Sequence, residues 1–455
     1  MAVAQIPEES QGDNAATESL LVAWVRQAAP YIHAFRGRTF VIAFGGEVLQ
    51  GSEAQALAQD FNLLASLGIR LVLVHGARPQ IDAEMQRRGL RSNFHKGLRV
   101  TDGETLECVK SAMGVARIEI EALLSQGLPN TPMAGAWMRV TGGNFITAKP
   151  VGVLGGIDYQ YTGAVRKIIA EEIKADLDQQ NVVLITPLGV SPTGEIFNLA
   201  WEEVAEAVAV AVQADKLIYL CGAQGVVDKK GGLLDAVTAD QVEKLLVRRI
   251  TQPPELARVL PGAVRACRAG VGRVHFLDRH ADGAMLMEFF TRQGVGTVMT
   301  HAPLVSLREA TVDDVGAILA LIAPLEADGT LVKRGRERLE MEVNRFLLLD
   351  HDGVIIGCVA LYPFTGTKGK ERAGEVACLA VMPEYRRSGY GDQLLKYIET
   401  RARKLKLKHL FVLTTRTAHW FIERDFAETS VDALPDAKRE LYNYQRRSKV
   451  LTKTL

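Results

Sequence analysis

Apolar positions follow two different rhythms along this chain. Thr39–Phe44, Arg70–Val74, Asn181–Ile185 and Lys216–Leu220 are nearly unbroken apolar runs. Between them, Ala54–Leu67, Gly103–Ser125 and Glu202–Val212 repeat at helical spacing, the second opened by the N-cap pair Thr101-Asp102. Unbroken strands alternating with helices predict a largely parallel sheet covered on both faces. Ligands of such sheets sit beyond the carboxyl ends of the strands. Gly45-Gly46 and Gly76 follow two of those ends, where a backbone can approach a ligand closely.

The rhythm resets around residues 297–308. Val354–Leu361 and Ala373–Val381 read as antiparallel strands, and a glycine-bearing loop with a helix follows over Arg386–Lys404. Leu410–Thr415 is one more strand. Thr311-Val-Asp-Asp314 starts a helix. The boundary is placed near residue 304. Ahead of the first strand, residues 1–15 read as disordered. Residues 17–35 read as an amphipathic helix outside the main body, with Leu20, Leu21, Trp24 and Val25 on its apolar stripe. The expected segments are 1–35, 36–303 and 304–455.

Composition narrows the classes. The chain has 455 residues, 47% hydrophobic and 24% charged, which excludes disorder throughout. Lys and Arg number 54 against 53 Asp and Glu, so no overall field favours nucleic acid or an acidic membrane. Apolar stretches are too short to span a bilayer, and no signal peptide is visible. The five cysteines, at 108, 221, 267, 358 and 378, form no Cys-x-x-C pair. Neither a disulfide framework nor a metal site is expected, and the cytoplasm is the simplest compartment.

The sharpest motif is Val381-Met-Pro-Glu-Tyr-Arg-Arg-Ser-Gly-Tyr-Gly391, closing a strand and opening a helix. Glycines and free amides at a helix N-terminus suit a pyrophosphate. Just upstream, Glu375 is a candidate general base, or a solvent-facing strand carboxylate. Cys378 is a candidate nucleophile or a small core residue. The tail Leu441–Lys449 is basic and aromatic. It reads as a solvated or nucleic-acid-binding tail, or as a strand presenting Tyr444, Arg446 and Ser448 on one face toward an acidic acceptor.

Arg386-x-x-Gly389-x-Gly391 resembles the loop of GCN5-related acetyltransferases. The resemblance implies acetyl-CoA as co-substrate, with no tightly bound cofactor, along Cys378, Leu379, Val381 and Arg386 through Arg387, Ser388, Gly389, Tyr390 and Gly391. That family often has a Tyr as general acid where this chain has Phe421. Tyr444 or Thr414 would serve instead, or the thiolate leaves unassisted.

Residues 39–300 resemble the amino-acid kinase family, through Phe40-Val-Ile-Ala-Phe-Gly-Gly46, Val74-His-Gly76, Gly97-Leu-Arg-Val-Thr-Asp102, Asn198 and Lys216–Val226. Ala43 stands where that family has a Lys. Ala77, Arg78, Glu202 and Arg265 depart as well. Phosphoryl transfer depends on positioned charge, so this segment reads as a non-catalytic relative. The arginine-regulated kinases imply an effector site at Tyr31, His275, Glu288, Gly294 and Gly296.

The two resemblances together are similar to the bacterial N-acetylglutamate synthase family. The implied fold is α/β: an amino-acid kinase-like parallel-sheet sandwich followed by a GCN5-related N-acetyltransferase domain. The implied reaction makes N-acetyl-L-glutamate from acetyl-CoA and L-glutamate, under L-arginine control, in a homo-hexamer. Glutamate is expected at Arg336, Cys378, Arg416, Arg446 and Ser448, with Glu375 as base. A bifunctional synthase–kinase and a non-enzymatic arginine sensor are the rival readings.

Overall fold

The computed structural model describes residues 11–51, 53–126, 138–292, 294–364, 372–386 and 388–455. The chain folds as two units, one ending at Pro303 and one beginning at Leu304.

The first unit is built on an eight-stranded sheet. At its centre Thr39–Phe44 lies parallel between Lys216–Cys221 and Arg70–His75, which continues to Val182–Ile185. On the other side Lys216–Cys221 pairs with Arg273–Asp278, beyond which Thr297–Thr300 runs antiparallel. Alternate residues of one strand enter opposite cores. Val41 and Ala43 pack against the helices Trp201–Val212 and Pro254–Arg268. Phe40, Ile42 and Phe44 pack with Phe61, Leu64 and Phe289. Burial on both faces explains the unbroken apolar runs. A four-stranded sheet, Ile196–Asn198, Leu188–Val190, Ile146–Pro150 and Gly163–Ile168, was not anticipated from the periodicity. Its strands are short and half-exposed, so they lack a continuous apolar signature.

The helix before the sheet runs Gln11–Phe35, so Gln11–Ala15, expected to be disordered, are helical; residues 1–10 lie outside the described residues. Side chains are described from Val22 onward. Ala28 is buried against the body and Tyr31, Ile32 and Phe35 pack on the same core. Val22, Trp24 and Val25 remain exposed.

The second unit is a seven-stranded sheet. Val305–Glu309, Phe346–His351, Val354–Phe364 and Ala373–Val381 are successive antiparallel neighbours. Ala373–Val381 then pairs in parallel with His409–Thr414, which pairs antiparallel with Lys449–Thr454. Residues 441–448 are not the strand proposed as one reading of the tail. Asn443 Oδ1 accepts from the amides of Gln445 and Arg446 at 2.9 and 3.2 Å, and Arg447 has φ 48°. That asparagine turn and left-handed residue end extended structure before Lys449.

Two buried histidines give the first unit an acid-labile core. Burial pushes the imidazoles of His75 and His275 down to about 4. The unfolded chain therefore binds protons near 6.5 that the native state refuses until about 4. Stability is full above that window and declines as pH falls through it. Asp60, pushed up to about 6 chiefly by burial, works in the opposite sense. His75→Asn and His275→Asn should each flatten the slope of Tm against pH between 6.5 and 4, whatever their absolute Tm. Unchanged slopes in both would contradict the assignment.

Candidate functional site

Strand Ala373–Val381 supplies the centre of the site. Its parallel ladder with His409–Thr414 contains three pairs and ends at Glu375 opposite Phe411. Beyond that point the two strands separate. Close packing brings them together at the start: a Cβ on Gly374 would lie 2.8 Å from Leu407 and 3.0 Å from Leu361. On the other edge the register shifts, because Cys378 adopts φ 51° and adds a residue to the strand. Such a bulge bends a strand and frees ladder groups. Leu379 and Val381, just after it, pack on the apolar cluster under the next helix.

The loop that follows is made for close approach. Pro383–Tyr385 is one 3-10 turn, and Arg386 Nε donates back to the Val381 carbonyl at 3.3 Å. Arg387 lies outside the described residues. Ser388 precedes Gly389, whose φ of 77° favours glycine as the residue opening the helix Tyr390–Lys404. A Cβ on Gly391 would sit 3.1 Å from the Trp420 ring. The first intrahelical acceptor is the Gly389 carbonyl, taken by Gln393, so the earlier amides of the turn remain for a ligand. Asp392, the acid of this turn, is paired with Arg424, which stacks on Trp420 at 3.9 Å. That pairing offsets its repulsion of an anion.

Glu375 is buried, with 7% exposure, and its Oε1 lies 2.7 Å from Lys438 Nζ. It is therefore not a solvent-facing strand carboxylate. Lys438 rides on the short helix Asp436–Arg439, anchored by nearby Leu434 in a cluster with Phe411 and Ala373. A second cation, Arg334, contacts the Cys378 sulfur and packs over the Tyr362 ring at 5.7 Å. It also lies in the field of Glu375. Burial pushes the Cys378 thiol up to about 11, despite the neighbouring Arg334, so the core reading of this cysteine prevails over the nucleophile.

Arg336 does not join this group. It occupies the first turn of Arg336–Glu342, with its side chain 75% exposed and paired with Glu340 at 2.8 Å. Arg334, two residues earlier in the extended segment before the helix, points inward instead. Arg446 Nη2 donates to the carbonyls of Gly329 and Thr330 at 2.9 and 2.6 Å, and Arg416 pairs with Asp328 at 3.1 Å. The loop 328–335 thus gathers three arginines. Ser448 is buried, its carbonyl accepting from the Tyr442 hydroxyl. Thr414, the last residue of its strand, is buried and its Oγ1 accepts from the Thr417 amide at 3.0 Å. Tyr444 is 70% exposed and packs edge-on against Tyr442, so it is not held at the strand separation. Lys438 escaped sequence reasoning because nothing local marks a four-residue helix as the partner of a strand carboxylate.

A second polar cluster lies in the first unit. Lys216 Nζ donates to His275 Nε2 at 3.2 Å, and His275 Nδ1–H donates to Glu288 at 2.7 Å. The neutral ring transmits one chain of hydrogen bonds, because burial and then the Lys216 ammonium oppose its protonation. Burial would raise the Glu288 carboxyl, yet His275 and the amides of Val295 and Gly296 hold it at about 2. Gly294, φ 63°, turns that loop under the carboxylate. Phe35, Phe40 and Phe289 surround the Lys216 ammonium, and Tyr31 packs beside Phe35. Lys216 and Phe35 are additions to the expected cluster.

The phosphoryl site of the kinase resemblance is filled differently. Ala43 is fully buried among apolar side chains, opposite Tyr219 and Val74. Glu202 and Glu206 are held by Arg258 and Arg265 at 3.1 and 2.5 Å. Trp201 packs directly on Gly76.

Residues 38–278 match the amino acid kinase family, and residues 321–426 the acetyltransferase (GNAT) family. The amino-acid acetyltransferase of Ralstonia nicotianae is 50% identical over 435 residues, covering 95% of both chains. That of Azotobacter vinelandii is 51% identical over 434 residues, covering 95% of this chain and 99% of its own. N-acetylglutamate synthase from Neisseria gonorrhoeae, solved with coenzyme A and L-arginine, has a TM-score of 0.85 at 39% identity, covering 95% of this chain and 99% of its own. The same enzyme with coenzyme A and N-acetyl-glutamate gives 0.60 at 40% identity over the same shares. The chain belongs to the amino-acid acetyltransferase family. Among the described residues of this acetyltransferase, no helix is long and apolar enough to cross a membrane.

The inward and outward arginines should separate in assays. Arg334→Met should lower acetyl transfer by about 10–150-fold, the effect of losing a hydrogen bond to a charged group. Arg336→Ala should leave the rate near that of the parent. The opposite ranking would reverse the placement.

Proposed function

We propose that this acetyltransferase moves the acetyl group of acetyl-CoA to the α-amino nitrogen of L-glutamate, giving N-acetyl-L-glutamate and CoA. L-Arginine is its effector, bound in the kinase-like unit. The observation that carries the reading is the buried Glu375 carboxylate at the point where the two central strands separate. The relative solved with coenzyme A and N-acetyl-glutamate supports the same substrate class.

The glutamate ammonium must lose a proton before it can attack. Glu375 takes that proton, directly or through water. The freed nitrogen forms a bond to the thioester carbonyl carbon, and the carbonyl electrons move to oxygen. Backbone amides exposed where the ladder ends stabilise this oxyanion. Collapse of the intermediate breaks the carbon–sulfur bond. As the nitrogen becomes an amide it gives up its second proton, which reaches the departing thiolate, of ordinary pKa about 8.5, through the Thr414 hydroxyl or through water. Arg334, Arg446 and Arg416, with Ser448, supply cations and a hydroxyl for the two acceptor carboxylates. Lys438 orients Glu375 before the acceptor arrives. The helix-opening loop Arg386–Gly391 receives the pyrophosphate of CoA.

The synthase–kinase reading lacks its charges, since Ala43 is buried and the cleft arginines Arg258 and Arg265 are paired with glutamates. A purely non-enzymatic sensor would not need an ion-paired carboxylate at the strand separation. Glu375→Gln should reduce kcat by about 10²–10⁴-fold while coenzyme A still binds. A near-parental rate in a folded variant, measured by thiol release, would sink the base assignment.

The Lys216–His275–Glu288 chain supports arginine control at this place, since its carboxylate suits a guanidinium. The exposed Val22, Trp24 and Val25 favour a second copy of the same helix as their cover, and a homo-hexamer as the assembly. Glu288→Ala should abolish the arginine response and keep basal activity. Deleting residues 1–34 should shrink the oligomer and weaken the response. Two variants that respond as the parent does would place the effector elsewhere.

A further inference from the structure

An amine of the chain itself stands where the proposed reaction needs one. Lys438 Nζ lies 2.7 Å from Glu375 Oε1. A base takes a proton over about 2.6–3.2 Å, so this amine is in reach. Glu375 is the last paired residue before the two central strands separate, and the amine is thereby held beside that opening. Ala373, on the same face of its strand as Glu375, packs with Phe411 and Leu434. Lys438 approaches on that face, while Val376 turns to the opposite one, under helix Tyr390–Lys404.

The lysine is well placed by its backbone. Its amide and that of Arg439 both donate to the Pro435 carbonyl at 2.9 Å, closing the short turn Asp436–Arg439. Leu434, fully buried, fixes the start of that turn. Only 22% of the Lys438 side chain is exposed, and among the described residues Glu375 is its one ion-pair partner. Other lysines of this unit differ. Lys404, Lys406 and Lys408 are exposed, and Lys453 is shared between Glu399 and the Arg424 carbonyl.

An acetyl acceptor has to present a free amine beside a base and a thioester carbonyl. The lysine ammonium, of ordinary pKa about 10.4, becomes a free amine by the same transfer to Glu375 that the glutamate ammonium uses. Its fixed placement makes the reaction one step within the acetyl-CoA complex. We propose that Lys438 is an internal acceptor: when the acceptor amino acid is absent, its Nζ takes the acetyl group of bound acetyl-CoA. This rests on Glu375 being the base of the reaction proposed above.

Glu375 takes one proton from the ammonium and later passes it to water. The Nζ lone pair forms a bond to the carbonyl carbon, and the carbon–sulfur bond breaks as the carbonyl reforms. The second proton of the nitrogen goes to the departing thiolate, leaving an acetylated lysine and CoA. The modified side chain carries no charge. Glu375 then lacks the cation that orients it, and turnover falls. Glutamate, by occupying the base, holds the modification back.

The full-length protein is incubated with acetyl-CoA alone, and acetylated lysines are located over time by peptide mass mapping. Lys438 should be acetylated ahead of Lys404, Lys406 and Lys408. Loss of glutamate-dependent activity should follow the same time course, and saturating L-glutamate should suppress both. Glu375→Gln should slow modification of Lys438 by about 10²–10⁴-fold, the range for removing a general base, and leave that of the surface lysines unchanged. Lys438→Arg should show no time-dependent loss from its own starting rate. An unmodified Lys438, a rate no faster than that of the surface lysines, or an equal rate in Glu375→Gln would each overturn the proposal. The base assignment is separable: if Glu375→Gln loses glutamate-dependent thiol release while Lys438 of the parent stays unmodified, the base stands and the internal acceptor alone falls.

Discussion

The early end of one parallel ladder governs the chemistry of the second unit. Three residue pairs join Ala373–Val381 to His409–Thr414, and then the strands part. The separation has causes on both sides. Gly374 lets the strands pack tightly at the start, where any side chain would meet Leu407 and Leu361. Cys378, in a left-handed conformation, adds a residue against Val354–Phe364 and bends the strand. Backbone groups that a regular sheet would consume are thereby left unpaired, where the proposed reaction puts the thioester. The next residues lead directly to Gly389 and the free amides of a helix start. In the proposed reading, one irregularity in a sheet links the reactive carbonyl and the pyrophosphate to a single continuous stretch of chain.

Charge in this unit is arranged around that opening. Glu375 is buried at the last paired position and is answered by Lys438, with Arg334 nearby. An isolated buried carboxylate would be costly, and a paired one is held in one orientation. Arg334, Arg416 and Arg446 come from three distant segments. Arg334 belongs to the loop 328–335, and the other two meet that loop through Asp328 and the carbonyls of Gly329 and Thr330. Those carboxylate and carbonyl contacts fix Arg416 and Arg446 and leave both with further donors for the acidic acceptor proposed above.

The kinase-like unit keeps the parallel sheet of its family, with Ala43 where the resemblance places a lysine. The parallel sheet, the glycines after its strands and the cavity at their carboxyl ends persist. Charges around that cavity are paired with one another. Ala43 is absorbed into the core, and glutamates and arginines across the cavity neutralise one another. Elsewhere in the unit, Lys216, His275 and Glu288 form a single hydrogen-bonded chain ringed by phenylalanines. Low exposure there keeps the histidine neutral, and its hydrogen bond keeps the carboxylate charged, so the chain has one polarity.

Much was legible in the sequence because it depends on local order. The buried parallel strands announced themselves as apolar runs, since both of their faces are covered. The glycine loop before the helix Tyr390–Lys404 was legible because backbone geometry demands glycine at fixed offsets, and Gly389 has the positive φ that this requires. The reading of the first unit as a non-catalytic kinase relative rested on one missing charge at Ala43. Tertiary structure alone decided the rest. Which of Arg334 and Arg336 turns inward depends on where a seven-residue helix begins, and both have the same chemistry in sequence. The tail became a turn because the Asn443 side chain captured two amides, a contest of hydrogen bonds that apolar spacing does not register. Lys438 meets Glu375 across 63 residues, through a short helix whose placement is set by the burial of Leu434. Sequence fixes a residue's chemistry and its local geometry; only the packed chain fixes which charge stands next to it.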